Sequence, residues 1–222
     1  MKVMAINGSP RMAKWNTATL LEKALEGAKS AGADTELVHL YSLRFSGCIS
    51  CFGCKALNRK QDAVCIVRDE LEPVLARIRR ADAIIVGTPL YFLCETASTR
   101  AFLERLCFPC LKYSKDMLSI FPRKIKTGLI YAMGASYESA KKLGFDRIFE
   151  TTRNTMARTF GHCELLTVAD TLQYPDYDKY ESELFDKEAK IKRHREIFPK
   201  DCQRAFELGA RLVDTILLDS DL

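Results

Sequence analysis

Lys2-Val3-Met4-Ala5-Ile6-Asn7-Gly8-Ser9-Pro10-Arg11-Met12-Ala13-Lys14-Trp15-Asn16-Thr17 opens the chain. Lys2 to Asn7 is a short apolar run that ends in the turn-forming Gly8-Ser9-Pro10. From Thr17 to Ser30, Leu20, Leu21, Ala24, Leu25 and Ala28 recur at helical spacing, with Gly32 as a stop. A strand that runs through a glycine turn into a helix is half of a β-α-β unit, and the rest of the chain repeats it. Further strands are predicted at Thr35–Leu40, Ala83–Val86, Thr127–Tyr131 and Glu164–Val168. Helices are predicted at Asp69–Arg80, Thr96–Leu106, residues 137–160 and Lys200–Leu218. The last of these aligns Cys202, Phe206, Leu212, Val213, Ile216 and Leu217 on one face. Ala83 to Val86 is apolar throughout, as a central parallel strand covered on both faces should be. Five strands alternating with helices place the chain in the α/β class, with an open, doubly wound, five-stranded parallel sheet in a three-layer α/β/α sandwich. The aromatic and acidic stretch Tyr174–Phe185 reads as an excursion before the last helix, so residues 1–222 are expected to form a single domain.

The 222 residues are 47% hydrophobic and 28% charged, which excludes wholesale disorder. The longest stretch without a charge is Ala83–Cys94, too short for a membrane span. Val3–Ile6 is too short for a signal peptide, so a cytoplasmic protein with no membrane partner is expected. Nine cysteines fit that reducing compartment, where thiols stay free, bind metal or do redox chemistry. The net charge of +5 is spread out, and the densest basic run, Lys187–Arg195, reads as a solvated helix face. No aromatic interleaving or binding motif points to nucleic acid.

In such sheets ligands bind beyond the carboxyl ends of the strands, where strand order reverses. Three loops therefore carry the chemistry. In the first, Ser9 and Thr17 offer hydroxyls, Arg11 a guanidinium, and Asn16 to Ala18 backbone N–H groups at the positive end of a helix, a donor set suited to phosphate. It is neither a dinucleotide fingerprint nor a P-loop. The second is Gly87-Thr88-Pro89-Leu90-Tyr91-Phe92, where Leu90, Tyr91 and Phe92 supply backbone donors and aromatic rings that suit a flat, electron-accepting heterocycle. The third, Tyr131-Ala132-Met133-Gly134-Ala135-Ser136, hints at close backbone approach.

Gly-Ser-Pro-Arg followed by Asn16-Thr17, Thr88-Pro89-Leu90-Tyr91-Phe92, the cysteines at 48, 51, 54 and 65, and Phe198-Pro199-Lys200-Asp201-Cys202 together resemble the NAD(P)H-dependent FMN reductase and iron–sulfur flavoprotein family of flavodoxin-like folds. The resemblance implies that Ser9, Arg11, Asn16, Thr17 and Ala18 hold the FMN phosphate. It likewise implies that Pro89, Leu90, Tyr91 and Phe92 hold the isoalloxazine ring, with Met133 and Gly134 nearby. NAD(P)H would be the electron donor, and the acceptor a quinone, a flavin or another small molecule or protein. A homodimer or homotetramer is implied as well. The alternative is an iron–sulfur flavoprotein that carries electrons between protein partners. Hydride transfer to a flavin needs no side-chain acid or base, and none of His39, His162 and His194 is assigned a catalytic role.

Cys48-x2-Cys51-x2-Cys54 is the strongest local signal, and its small neighbours Gly47, Ser50 and Gly53 let a loop wrap an inorganic cube. A [4Fe–4S] cluster needs four thiolates, and Cys65 is the fourth candidate, separated from Cys54 by ten residues. A cluster, a zinc ion and unligated thiols all remain open for this segment at about 41–68, and a thiol- or metal-based sensor is a third functional reading. Lys55, Arg59, Lys60 and Arg68 are expected to favour the thiolate form. Cys107-Phe108-Pro109-Cys110 shares the CxxC spacing but follows a helical run, so structural thiols are expected there.

Overall fold

β1 (Lys2–Asn7) is the hub of the sheet: Val3 and Ala5 face one side, Met4 and Ile6 the other, and all four are fully buried. In the computed structural model, which describes residues 1–58 and 62–214, β1 is flanked by β2 (Asp34–His39) and β3 (Ala83–Tyr91), both parallel to it. β5 (Ile125–Ala132) and β6 (Gly161–Val168) extend the sheet beyond β3, again in parallel. A two-residue strand, β4 (Cys94–Glu95), folds back antiparallel on the end of β3. The sheet thus has six strands where five were expected. The five parallel ones run in the order β2-β1-β3-β5-β6, with the reversal between β1 and β3.

Helices cover both faces. On one face α1 (Asn16–Ser30) and α7 (Phe198–Val213) bury Leu20, Leu21, Ala24, Leu208 and Leu212 against Ala5, Ile85 and Ile130. These two helices cross backbone to backbone: a Cβ on Gly27 would lie 1.9 Å from the Phe206 carbonyl oxygen, and one on Gly209 1.7 Å from that of Ala24. The opposite face carries α2 (Glu72–Ile78), α3 (Ala97–Cys107) and α5 (Phe145–Phe160), which bury Val74, Ile78, Phe102, Leu106, Phe149 and Met156. This is the flavodoxin-like three-layer arrangement.

The expected helix over 137–160 is two helices. α4 (Tyr137–Lys142) stops at Leu143, and Gly144 takes a left-handed φ of 75° before α5 begins. The helix expected at Asp69–Arg80 starts later, at Glu72, because the Asp69 side chain caps a turn by accepting from Leu71 N (3.1 Å) and Pro73 opens the first helical turn. The basic run is α6 (Lys187–Glu196), a polar helix with one buried side chain, Lys190. Ile216 and Leu217, expected to extend α7, lie outside the described residues. Among the described residues no helix is long and apolar enough to cross a membrane.

Candidate functional site

The turn after β1 is shaped by its own side chains. Asn7 Oδ1 accepts from Ser9 N (2.9 Å), and Ser9 Oγ accepts from Arg11 N (3.1 Å). The Ser9 hydroxyl proton is thereby left for a ligand. Gly8 is required by close approach, since a Cβ there would lie 1.8 Å from Thr99 Oγ1. α1 then begins with Trp15 at the N-cap position and no capping side chain, although Asn16, Thr17 and Ala18 are buried. An uncapped, buried helix N-terminus leaves backbone donors aimed outward and favours an anion. Ser9, Arg11, Asn16, Thr17, Pro89 and Thr171 are among the residues that enclose a pocket of about 80 Å³ in front of it. Ala18 is buried at α1 but is not among the residues lining that pocket.

Two of the expected phosphate residues spend their side chains on neighbouring loops. Asn16 Nδ2 donates to the Leu172 carbonyl (2.7 Å), which fastens the segment after β6. Arg11 lies over the Trp15 ring (4.3 Å) and donates to the Gln173 carbonyl (2.8 Å), bridging the outer rim. Trp15, Thr171, Leu172 and Gln173 are lining residues that the sequence reading misses. The signal for the last three is the polar Asp170-Thr171 pair directly after an apolar strand, at the carboxyl edge where ligands sit.

Leu90, Gly134 and Gln173 are shared with a second, larger cleft of about 730 Å³, whose apolar lining includes Phe92, Leu93, Met133, Leu184 and Phe185. Tyr91 pairs with Cys94 and Leu90 with Glu95, so the hairpin ladder takes up part of the backbone donors that the sequence reading assigns to a ring. The two turn residues, Phe92 (φ 48°) and Leu93 (φ 65°), are both left-handed. Phe92 is fully exposed at the mouth of the cleft and Tyr91 half-exposed, whereas Pro89, Leu90 and Tyr91 line the smaller pocket. Met133 is buried and its backbone is committed, with N donating to Val168 O (2.9 Å) and O accepting from Thr171 N (3.0 Å). The Gly134 carbonyl accepts from Lys190 Nζ, which also pairs with Asp170 (2.9 Å).

Glu95 anchors the hairpin from below. Its carboxylate accepts from Tyr131 OH (2.6 Å), Thr152 Oγ1 (2.6 Å) and Cys94 Sγ (3.0 Å). Burial would raise its pKa, but these hydrogen bonds prevail and hold it below the ordinary carboxylate value. Burial together with the Glu95 charge pushes the Tyr131 phenol up.

The cysteine-rich loop packs against the far end of α3. Cys48 and Cys51 are exposed, Cys54 and Cys65 half-buried, and all four line one small cavity with Ile66 and Phe108. Among the described residues no three His, Cys, Asp or Glu side chains converge closely enough to hold a single metal ion. A donor set of four thiols spread around one cavity suits a polynuclear group better than a lone tetrahedral ion. The expected bias toward thiolate is corrected at Cys54, where burial raises the thiol pKa against the opposing charge of Lys55. The Lys55 ammonium donates to the carbonyls of Phe108 (2.6 Å), Pro109 (3.2 Å) and Leu111. Arg59 and Lys60 lie outside the described residues. Cys107 and Cys110 are buried at the end of α3, and burial pushes both thiols up to about 12, as inert structural thiols require.

Residues 1–138 match the family described as NADPH-dependent FMN reductase. An iron-sulfur flavoprotein of Methanocaldococcus jannaschii is 30% identical over 148 residues, covering 67% of this chain and 69% of that protein. Another, from Archaeoglobus fulgidus, is 38% identical over 105 residues, covering 47% of this chain and 48% of that protein. Among solved structures, an NAD(P)H:quinone oxidoreductase from Methanothermobacter marburgensis superposes with a TM-score of 0.67 at 19% identity, covering 96% of this chain and 98% of that one. An FMN-dependent NADH-azoreductase from Bacillus anthracis, in complex with FMN, superposes at 0.65 with 12% identity, covering 96% and 100%. At such identities the structural likeness speaks for the fold alone.

Proposed function

This chain belongs to the NADPH-dependent FMN reductase family, and from that premise we propose that it binds FMN in the joined pocket and cleft and reduces a quinone, a flavin or a similar acceptor at the expense of NAD(P)H. One observation carries the reading. The uncapped, buried N-terminus of α1 faces a phosphate-sized pocket that opens, through Leu90 and Gly134, into a cleft large enough for a flat ring and a second molecule.

When bound, FMN supplies the hydride chemistry. The chain's own residues bind and orient it. The N–H groups of the first turn of α1 and the hydroxyls of Ser9 and Thr17 would face the phosphate, with the Arg11 guanidinium at the outer rim of the pocket. Asn16 acts at one remove, by its bond to Leu172. In the cleft Leu90, Met133 and Gly134 would border the ring, with Phe92 at the entrance and Pro89 and Tyr91 on the side of the smaller pocket. No side chain is needed to move a proton for hydride transfer, and none is assigned. Nine free cysteines support a reducing, cytoplasmic setting, and the exposed apolar rim of Phe92, Leu93 and Leu184 supports a homo-oligomer.

A second reading is favoured by the gathering of Cys48, Cys51, Cys54 and Cys65 around one cavity: these thiols hold a [4Fe–4S] cluster, and the acceptor is then a protein partner. An anaerobic visible spectrum before and after NADPH tests both. Flavin bands near ~450 nm that bleach on addition are expected, and a broad shoulder at longer wavelength accompanies the cluster. A colourless protein that takes up no added FMN overturns the reductase reading, and the absence of iron and acid-labile sulfide in anaerobically purified protein overturns the cluster.

A further inference from the structure

Arg105, in the last turn of α3, is 1% exposed, and its side chain reaches into the cysteine cavity. A guanidinium has five N–H donors, and each is engaged here. Nε donates to Cys65 Sγ (2.9 Å), Nη1 to Ser46 O (3.0 Å) and Asp69 Oδ2 (2.8 Å), and Nη2 to Val67 O (3.0 Å) and Asp69 Oδ1 (3.1 Å). The neighbouring Glu104 accepts from Cys48 N (3.1 Å). The end of one helix therefore grips both arms of the loop, at 46–48 and at 65–69. The fork to Asp69 balances the buried charge, but charge balance does not explain why Nε is aimed at a sulfur. A neutral thiol is a weak acceptor. A charge-assisted donor on sulfur is well matched when that sulfur is an anionic, metal-bound thiolate.

The other end of α3 belongs to the flavin site. Thr96 caps the helix and donates to the Gly8 carbonyl (2.7 Å), and Thr99 donates to Thr88 Oγ1 (3.1 Å). Eleven helical residues separate the two attachments, a rigid span of about 16 Å.

We propose that Arg105 is the positioning residue that brings Cys65, across its ten-residue gap from Cys54, into the same ligand set as Cys48, Cys51 and Cys54, and that α3 fixes the resulting iron–sulfur group to the flavin cradle as one piece. This rests on the iron–sulfur reading above. The Nε–H bond to a ligating sulfur draws off negative charge and so favours the reduced cluster. Losing it lowers the cluster's reduction potential.

The test compares the full chain, loaded with FMN and reconstituted anaerobically with iron and sulfide, as wild type, Arg105→Lys and Cys65→Ala. The Lys variant keeps the charge and loses the fork. Wild type is expected to hold about four iron and four sulfide per chain. Both variants should lose iron to a chelator about 10-fold faster, with FMN content unchanged and the Arg105→Lys cluster titrating at a lower potential. Asp69→Asn, which leaves the guanidinium present but unpinned, serves if Arg105→Lys fails to fold, and the same shift is expected of it. Wild-type iron retention and potential in the folded variants overturn the role of Arg105 while leaving the cluster. A wild type that takes up neither iron nor sulfide overturns the iron–sulfur reading, and this inference falls with it.

Discussion

The proposed flavin cradle and the cysteine basin sit at opposite ends of α3 and are built on opposite plans. The cradle is made from the ends of four parallel strands, and its polar groups are held by the sheet, by short bonds within each turn, such as Asn7 to Ser9, and by bonds between turns, such as Asn16 to Leu172. No single side chain holds it together. The basin is one loop, its cysteines spread over eighteen residues of sequence, and its arms meet at one buried guanidinium. A site assembled from strand ends tolerates a lost side chain in its fold and suffers chiefly in its ligand. A site clasped by one residue suffers in both.

The largest effect should come from removing the clasp. Arg105→Met strands Asp69 and two carbonyls and is expected to destabilise the chain by about 3–5 kcal/mol, a fall of roughly 10 °C in Tm by thermal unfolding. A change within 2 °C would mean that the basin is as distributed as the cradle. The reciprocal experiment is Asn16→Ala with Thr17→Val. FMN affinity, read by fluorescence titration, should weaken about 100-fold while stability falls by about 1–3 kcal/mol, less than for Arg105→Met; unchanged affinity would show that the phosphate lies elsewhere.

Acid should separate the two regions as well. Burial raises the pKa of Asp69, but its hydrogen bonds to Arg105 prevail and leave it below the ordinary 3.8. A depressed carboxylate contributes stability that is complete above its unfolded value and lost as pH falls through its folded one. Below pH 3.8 the basin should therefore loosen, and Asp69→Asn should remove that segment of the pH–stability curve. A curve identical to wild type would refute the pairing. The smallest effect is a gain. Two-residue hairpin turns with both residues left-handed favour Asn-Gly, so Phe92→Asn with Leu93→Gly should raise stability by about 1 kcal/mol in denaturant titrations. A loss there would mean that the Phe92 ring is packed in solution, against a second copy of the chain.

Much of the cradle was legible because its determinants are local. An apolar run followed by Gly-Ser-Pro and a helical period places Ser9 and Thr17 without knowledge of the rest of the chain. Thr171 to Gln173 carry no such spacing and become a wall only because β6 lies beside β5. The hairpin was illegible for the opposite reason, since Phe92-Leu93 is the wrong spelling for the turn it makes, and β4 went unseen with it. Arg105 looks in sequence like one more charge on an amphipathic helix. Its role depends on a loop more than 35 residues away in sequence (Cys65 and Asp69 lie 40 and 36 residues off), a distance at which no periodicity carries information.

Gly27 and Gly209 line neither the pocket nor the cleft, yet they set how deeply α1 is seated. A methyl group at either position would drive one backbone off the other and carry the far tip of α1 with it. A screen for colourless colonies would then recover these two glycines beside Thr17, and the genetic map of flavin retention would extend across the molecule to a seam that no flavin touches.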